Sequence, residues 1–158
     1  TMKKTKLIPA TESAYQYPLL IKNLLLSGVR YFPDREIVYS DISRYNYLTL
    51  NERIARLANA LKKAGIGAGD TVAVMDWDSH RYLEAYFAIP MIGAVLHHVN
   101  VRLSSDQILY TMNHAEDDIV LVTVDRESGS RAQDRAWLCT VDRRPERWLN
   151  QPECNRRI

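Results

Sequence analysis

Three short apolar runs, TVAVMDW (71–77), AVLHHV (94–99) and DIVLVTV (118–124), alternate with two stretches of helical periodicity, and that order confines the fold. Strands joined through a helix run parallel, because a tight turn returns the chain antiparallel. With right-handed crossovers, the chain from Thr71 onward is expected to be an α/β layer of βαβ units on a mainly parallel sheet. Runs apolar along their whole length suit buried strands, so AVLHHV is read as buried like its neighbours.

The helices carry start signals. Ser79 or Asp78 can cap HRYLEAYFAIPMIG, with Tyr82, Leu83, Tyr86 and Phe87 as its buried stripe and Pro90 kinking or ending it. Ser104-x-x-Gln107 is a capping box opening SDQILYTMNHAE, with Ile108, Leu109 and Met112 inward. Upstream, LLIKNLLLSGVRYF (19–32) predicts a helix with Leu20, Leu24 and Leu25 on one face. REIVYS and YNYLTL alternate apolar and polar residues across DISR and predict a β-hairpin. Thr49-x-x-Glu52 reads as a second capping box, opening a helix whose apolar face is Leu50, Ile54, Leu57, Ala58 and Leu61. GIGAGD (65–70) tempts one toward a dinucleotide loop, but that motif follows a strand and precedes a helix, and here the order is reversed. It is read as a turn, with Gly65 in the left-handed cap position.

At 158 residues the chain suffices for one domain with a real core. A net charge of +2 neither favours nor excludes a polyanionic partner. No apolar run reaches the length of a membrane span, and no secretory signal is expected near the start, so a cytoplasmic protein is the default. Cys139 and Cys154 have neither metal-ligand spacing nor the density of a disulfide scaffold.

Three of the four histidines lie within HHVNVRLSSDQILYTMNHAEDDIVLV (97–122). A metal needs three or four ligands converging on one point. His97 and His98 are neighbours on a strand and point to opposite faces, His114 falls in the last turn of a helix, and His80 lies in another helix's first turn. No metal site is expected. Ligands in open α/β sheets bind outside the carboxyl ends of the strands, which places His98, Asn100 and Arg102 where a polar ligand group could be met. Equally, Asn100 and Arg102 could organise the turn into the helix capped by Ser104.

The strings LTLNERIARLANALKKAGIGAGDTVAVM and WDSHRYLEAYFAIPMIGAVLHHVNVRLSSDQILYTMNHAEDDIVLV, with FPDREIV before them, resemble the N-terminal portion of adenylate-forming (AMP-binding) enzymes. More narrowly, they are similar to medium- and long-chain fatty acyl-CoA synthetases. The likeness runs from about Tyr17 to Val122, with Val101 where the family has proline and Asp78 where it has asparagine. It implies that the chain is the N-terminal part of the large domain, a β-hairpin followed by βαβ units. It also implies the family reaction, in which a fatty-acid carboxylate attacks the α-phosphate of ATP and CoA thiol then displaces AMP, with Mg²⁺ neutralising the triphosphate.

The same resemblance exposes what the chain does not contain. The family's phosphate loop reads like S-G-T-T-G-x-P-K-G, whose backbone N–H groups approach the anion closely. ESGSRAQ (127–133) has neither its glycine spacing nor its lysine. No catalytic residue is carried over, and no ATP, Mg²⁺ or CoA is expected to be bound by this piece alone, which is read as an inactive fragment. A small non-catalytic α/β binding or interaction module is the alternative. Family resemblance also makes residues 17–45 a candidate surface for a homodimer, and a severed segment would be expected to self-associate.

The expected organisation is a leader (1–16), the incomplete large-domain part (17–124) and an atypical Arg-rich tail (125–158). Residues 126–158 hold eight arginines, five acids and no lysine, and helical and strand periodicity is lost there. A shifted reading frame or rearranged gene would produce that change. The interleaved acids weaken any field for nucleic acid, so no nucleic-acid partner is expected.

Overall fold

The computed structural model describes residues 11–15, 17–124 and 136–140. Most of the leader, and the tail apart from five residues, lie outside the described residues. The elements run α1 (Ile21–Tyr31), β1 (Glu36–Tyr39), β2 (Ser43–Asn46), α2 (Tyr47–Lys63), β3 (Thr71–Met75), α3 (His80–Met91), β4 (Val95–His98), α4 (Ser105–Ala115), β5 (Ile119–Val124) and β6 (Ala136–Thr140). β1 and β2 form the antiparallel hairpin, with Glu36 opposite Asn46 and Tyr39 opposite Ser43. The main sheet has the order β4-β3-β5-β6. β3 is parallel to both neighbours, with Val72 opposite Leu96 on one side and Ile119 on the other.

β3 is covered on both faces: Val72, Ala73 and Val74 have no exposed surface. Val72 and Val74, with Ile119 and Leu121, pack against Leu25 of α1, Leu50, Ile54, Leu57 and Leu61 of α2, and Ala85, Ala88 and Ile89 of α3. Ala73 and Val120 face the other way, onto Met112 of α4 and Val99, which follows β4. A parallel sheet between helical layers results, as the alternation of runs and helices requires.

Several local expectations are corrected. AVLHHV is not a buried strand: among the described residues β4 pairs only with β3, and Val95 and His98 are exposed. An apolar run records hydrophobic content but not whether both ladder sides are paired. The regular part does not close at Val124, since β6 runs antiparallel to β5 with Leu121 opposite Cys139. A strand of five residues takes its hydrogen bonds from the neighbouring ladder and needs no long periodic pattern.

α2 begins two residues before Thr49, because Asn46, the last residue of β2, is its cap: Asn46 Oδ1 accepts the Thr49 N–H at 2.9 Å. Glu52 instead pairs with Arg56 one turn on, at 3.2 Å on the surface. The second hairpin strand is accordingly Ser43–Asn46, and YLTL is helical. Ser79 rather than Asp78 caps α3, accepting the Arg81 and Tyr82 N–H groups. The Ser104–Gln107 box is formed in both directions, and Gly65 takes φ +90° after α2.

Two helix faces are rotated from their expected positions. In α1, Leu25 is buried while Leu20 and Leu24 are exposed. Val29, one turn beyond Leu25, joins the core. Gly28 on this face lets Tyr47 approach, since a Cβ there would stand 2.8 Å from the Tyr47 ring. In α3, the small residues Ala85 and Ala88 turn inward beside Tyr82 and Ile89. Leu83 and Phe87 are only partly buried, and Tyr86 is exposed. Bulk alone misjudged the stripe, because the close sheet–helix approach selects alanine.

Two comparisons test this packing by urea denaturation. Leu121→Ala, at a site with no exposure, is expected to cost about 3 kcal/mol, whereas Leu24→Ala, 72% exposed, should change stability by less than about 0.5 kcal/mol. Asn46→Ala should cost about 1 kcal/mol and Thr49→Ala much less; the reverse order would restore Thr49 as the cap.

Candidate functional site

The parallel strands β3, β4 and β5 end at one edge of the sheet, and the turns after β3 and β4 form its rim. After β3, the Asp76 carboxylate accepts the Trp77 N–H at 2.7 Å and the Ser79 hydroxyl. Asp78 sits in the left-handed region at φ +50°. The chain thereby doubles back into α3 with Trp77 left 61% exposed. After β4, Asn100 Oδ1 accepts the Arg102 N–H at 3.0 Å and the Asn100 carbonyl accepts the Leu103 N–H at 3.2 Å. The Arg102 guanidinium lies 5.6 Å from the centre of the Trp77 ring, so the two turns meet through a cation–π contact.

His98, at the end of β4, is held by α3. Its Nδ1 is 2.5 Å from the Tyr82 hydroxyl oxygen, and its ring centre is 4.7 Å from that of Tyr86. Burial by these rings, then the neighbouring His97, lowers the His98 pKa, against a smaller upward pull from Asp78. Tyr82 is pushed up to about 12 by its own burial, with Tyr86, Asp78 and Asp76 adding to the rise.

All three residues named from the sequence therefore lie on this rim, with different work to do. The Asn100 side-chain oxygen organises the turn, Arg102 stacks on Trp77, and His98 is an exposed imidazole fixed by an aromatic pair. Trp77, Tyr82 and Tyr86 were not anticipated here. Trp77 could have been: it directly follows a buried strand, where the rule that points to Asn100 applies equally.

The other histidines go elsewhere. His97 Nδ1 lies 2.7 Å from the buried Asp117 carboxylate, on the α4 side of the sheet. His80 is buried at the start of α3, its ring centre 5.3 Å from that of Tyr39 and 6.3 Å from that of Tyr45. His114 stacks on Tyr110 at 5.9 Å. Among the described residues, no three His, Cys, Asp or Glu side chains gather as metal ligands. No helix among them is long and apolar enough to cross a membrane.

A second polar cluster lies away from the rim. Arg53 Nε donates to Glu84 Oε1 at 2.6 Å, the carboxylate being almost wholly buried, and the guanidinium lies 5.4 Å from the Tyr45 ring centre. Burial raises the Glu84 pKa despite the opposing Arg53. It pushes Tyr45 up to about 12, Glu84 adding to the rise. This cluster ties β2, α2 and α3 together.

A parallel sheet between helices is an α/β architecture, and its polar rim lies at the carboxyl edge, where ligands of open α/β sheets generally bind. The family model for AMP-binding enzymes matches residues 27–153, and the chain belongs to that family. The match continues past Asp125, so family likeness is not confined to the first 124 residues. A long-chain-fatty-acid–CoA ligase of Thermus thermophilus is 46% identical over 81 residues, which are 51% of this chain and 15% of that protein. A medium-chain-fatty-acid–CoA ligase of Ectopseudomonas oleovorans is 37% identical over 108 residues, 66% of this chain and 20% of that protein. The chain thus spans about a fifth or less of these relatives. Among solved structures, a fatty acyl-CoA synthetase of Mycobacterium tuberculosis superposes with a TM-score of 0.62 at 23% identity, over 65% of this chain and 21% of that one. This likeness shows the fold: the N-terminal part of an adenylate-forming enzyme.

The lowered His98 pKa has a testable consequence. The folded state favours the neutral ring, so the stability His98 contributes is complete above its ordinary value of about 6.5 and is lost as pH falls below it. Urea midpoints measured at pH 7.5 and 5.5 should therefore fall more in the native chain than in His98→Gln. Equal falls would exclude burial of this ring as a cause.

Proposed function

We propose that the chain forms the N-terminal part of an ATP-dependent fatty-acid–CoA ligase, with His98, Asn100 and Arg102 near bound substrate, and that it is inactive by itself. The observation that carries this reading is the 46% identity to the Thermus thermophilus long-chain ligase across 81 residues. In the whole enzyme the partners would be fatty acid, ATP with Mg²⁺, and CoA; a cytoplasmic setting belongs to the same reading.

The residues present do not fit the ATP triphosphate. An anion of that charge needs a glycine-rich run of backbone N–H groups and a lysine. ESGSRAQ (127–133) supplies neither. No catalytic step is therefore assigned to this chain's side chains. Its contribution is the scaffold of the rim: strands that fix the two turns, and helices that fix the strands.

Exposed apolar side chains at Leu19, Leu20, Leu24 and Leu26 favour a second reading, a module with a partner-binding face. Light scattering separates the two. A segment lacking its packing neighbours should self-associate, through 17–45 in the dimer reading, whereas a self-sufficient module should stay monomeric and unfold cooperatively.

The direct test is a chimera. Residues 17–124 replace the matching segment of the Thermus thermophilus ligase, and acyl-CoA formation from ATP, CoA and palmitate is followed. The chimera should turn over and the isolated chain should not. Turnover by the isolated chain, or a folded chimera that forms neither adenylate nor thioester, would refute the proposal.

A further inference from the structure

Two facts about the His98–Tyr82 pair bear on more than packing. Tyr82 Oη meets Nδ1 of His98, not Nε2, at 2.5 Å. His98 remains exposed at the strand end while its ring rests beside Tyr86, so Tyr82 engages one nitrogen of a side chain that as a whole keeps contact with solvent.

A phenol O–H is a far stronger acid than an imidazole N–H, and an unprotonated ring nitrogen is a better acceptor than a phenol oxygen. The hydrogen bond therefore runs from Tyr82 to Nδ1, and the ring proton sits on Nε2. We propose that Tyr82 holds His98 in the Nε2–H tautomer, making it an oriented, uncharged hydrogen-bond donor to a phosphoryl or carboxylate oxygen at the carboxyl edge. Tyr82 is a positioning residue: it touches no ligand and acts through His98. The Asp76 carboxylate, in the turn after β3, is occupied by the Trp77 N–H and the Ser79 hydroxyl. Asp78 and His97 are the charged or titratable neighbours that act on the ring besides the two tyrosines. This inference rests on the placement of His98 near substrate given above.

The test is ¹⁵N NMR of the full chain with labelled histidine, titrated separately with inorganic phosphate and with acetate. The expected spectrum shows His98 protonated at Nε2 alone, with Nε2 shifting on addition of phosphate, of acetate, or of both; the responding anion identifies the source of the oxygen. In Tyr82→Phe, which keeps the ring, the tautomers should mix and the anion response weaken by about fivefold. His98→Gln places an amide donor near the Nε2 position. In that background, with glutamine labelled instead, Tyr82→Phe should leave the response of the substituted amide unchanged, which also controls for misfolding. Protonation at Nδ1, or a tautomer and anion response indifferent to Tyr82→Phe, overturns the role of Tyr82 while leaving the strand-end reading intact. A fixed Nε2–H tautomer that answers to neither anion overturns the strand-end reading and the donor role with it.

Discussion

The fold depends on β3 being covered from four directions. Strands lie on both sides of it and helices on both faces, so Val72, Ala73 and Val74 retain no contact with water. A strand in that position has no freedom of register, because a slip by one residue would drive valine into the space left for Ala73 beneath α4. With β3 fixed, the ends of β4 and β5 are fixed too. The rim turns inherit their positions from that central ladder.

Around this strand the larger core lies on the face covered by α1, α2 and α3, and the smaller one under α4. The first face also carries the Arg53–Glu84 pair. Removing a carboxylate from water is costly, and the raised Glu84 pKa shows that Arg53 does not fully compensate. Such a pair is better understood as setting which faces of α2 and α3 meet than as a source of stability. Tyr45 beneath the guanidinium extends the same constraint to the hairpin.

The architecture was legible because alternation of apolar runs with helical segments leaves few topologies. Cap chemistry was legible where a single candidate stood in place, as at Ser104 and Gln107. It misled at Thr49, where Asn46 offered an oxygen at a slightly earlier start. What the sequence withheld was directional. Which side of β4 is unpaired among the described residues, which face of α1 turns inward, and that alanine rather than the bulkier Leu83, Tyr86 and Phe87 lines α3 all depend on tertiary approach. The rim shows the same division: strand-end logic pointed to His98, Asn100 and Arg102, but the aromatic groups that hold His98 and Arg102 come from other elements.

β6 gives the sheet a polarity with a further meaning. Because it is antiparallel to β5, Thr140 lies opposite Val120, near the amino edge of the parallel strands. His98 lies at the far edge. The chain passing through β6 is thus carried away from the rim by a strand length, roughly 17 Å at the usual rise per residue. Within β6 it is Ala136, opposite Val124, that stands toward the carboxyl edge, so the first residue of this strand is the one nearest the edge of His98 and the last the one farthest from it.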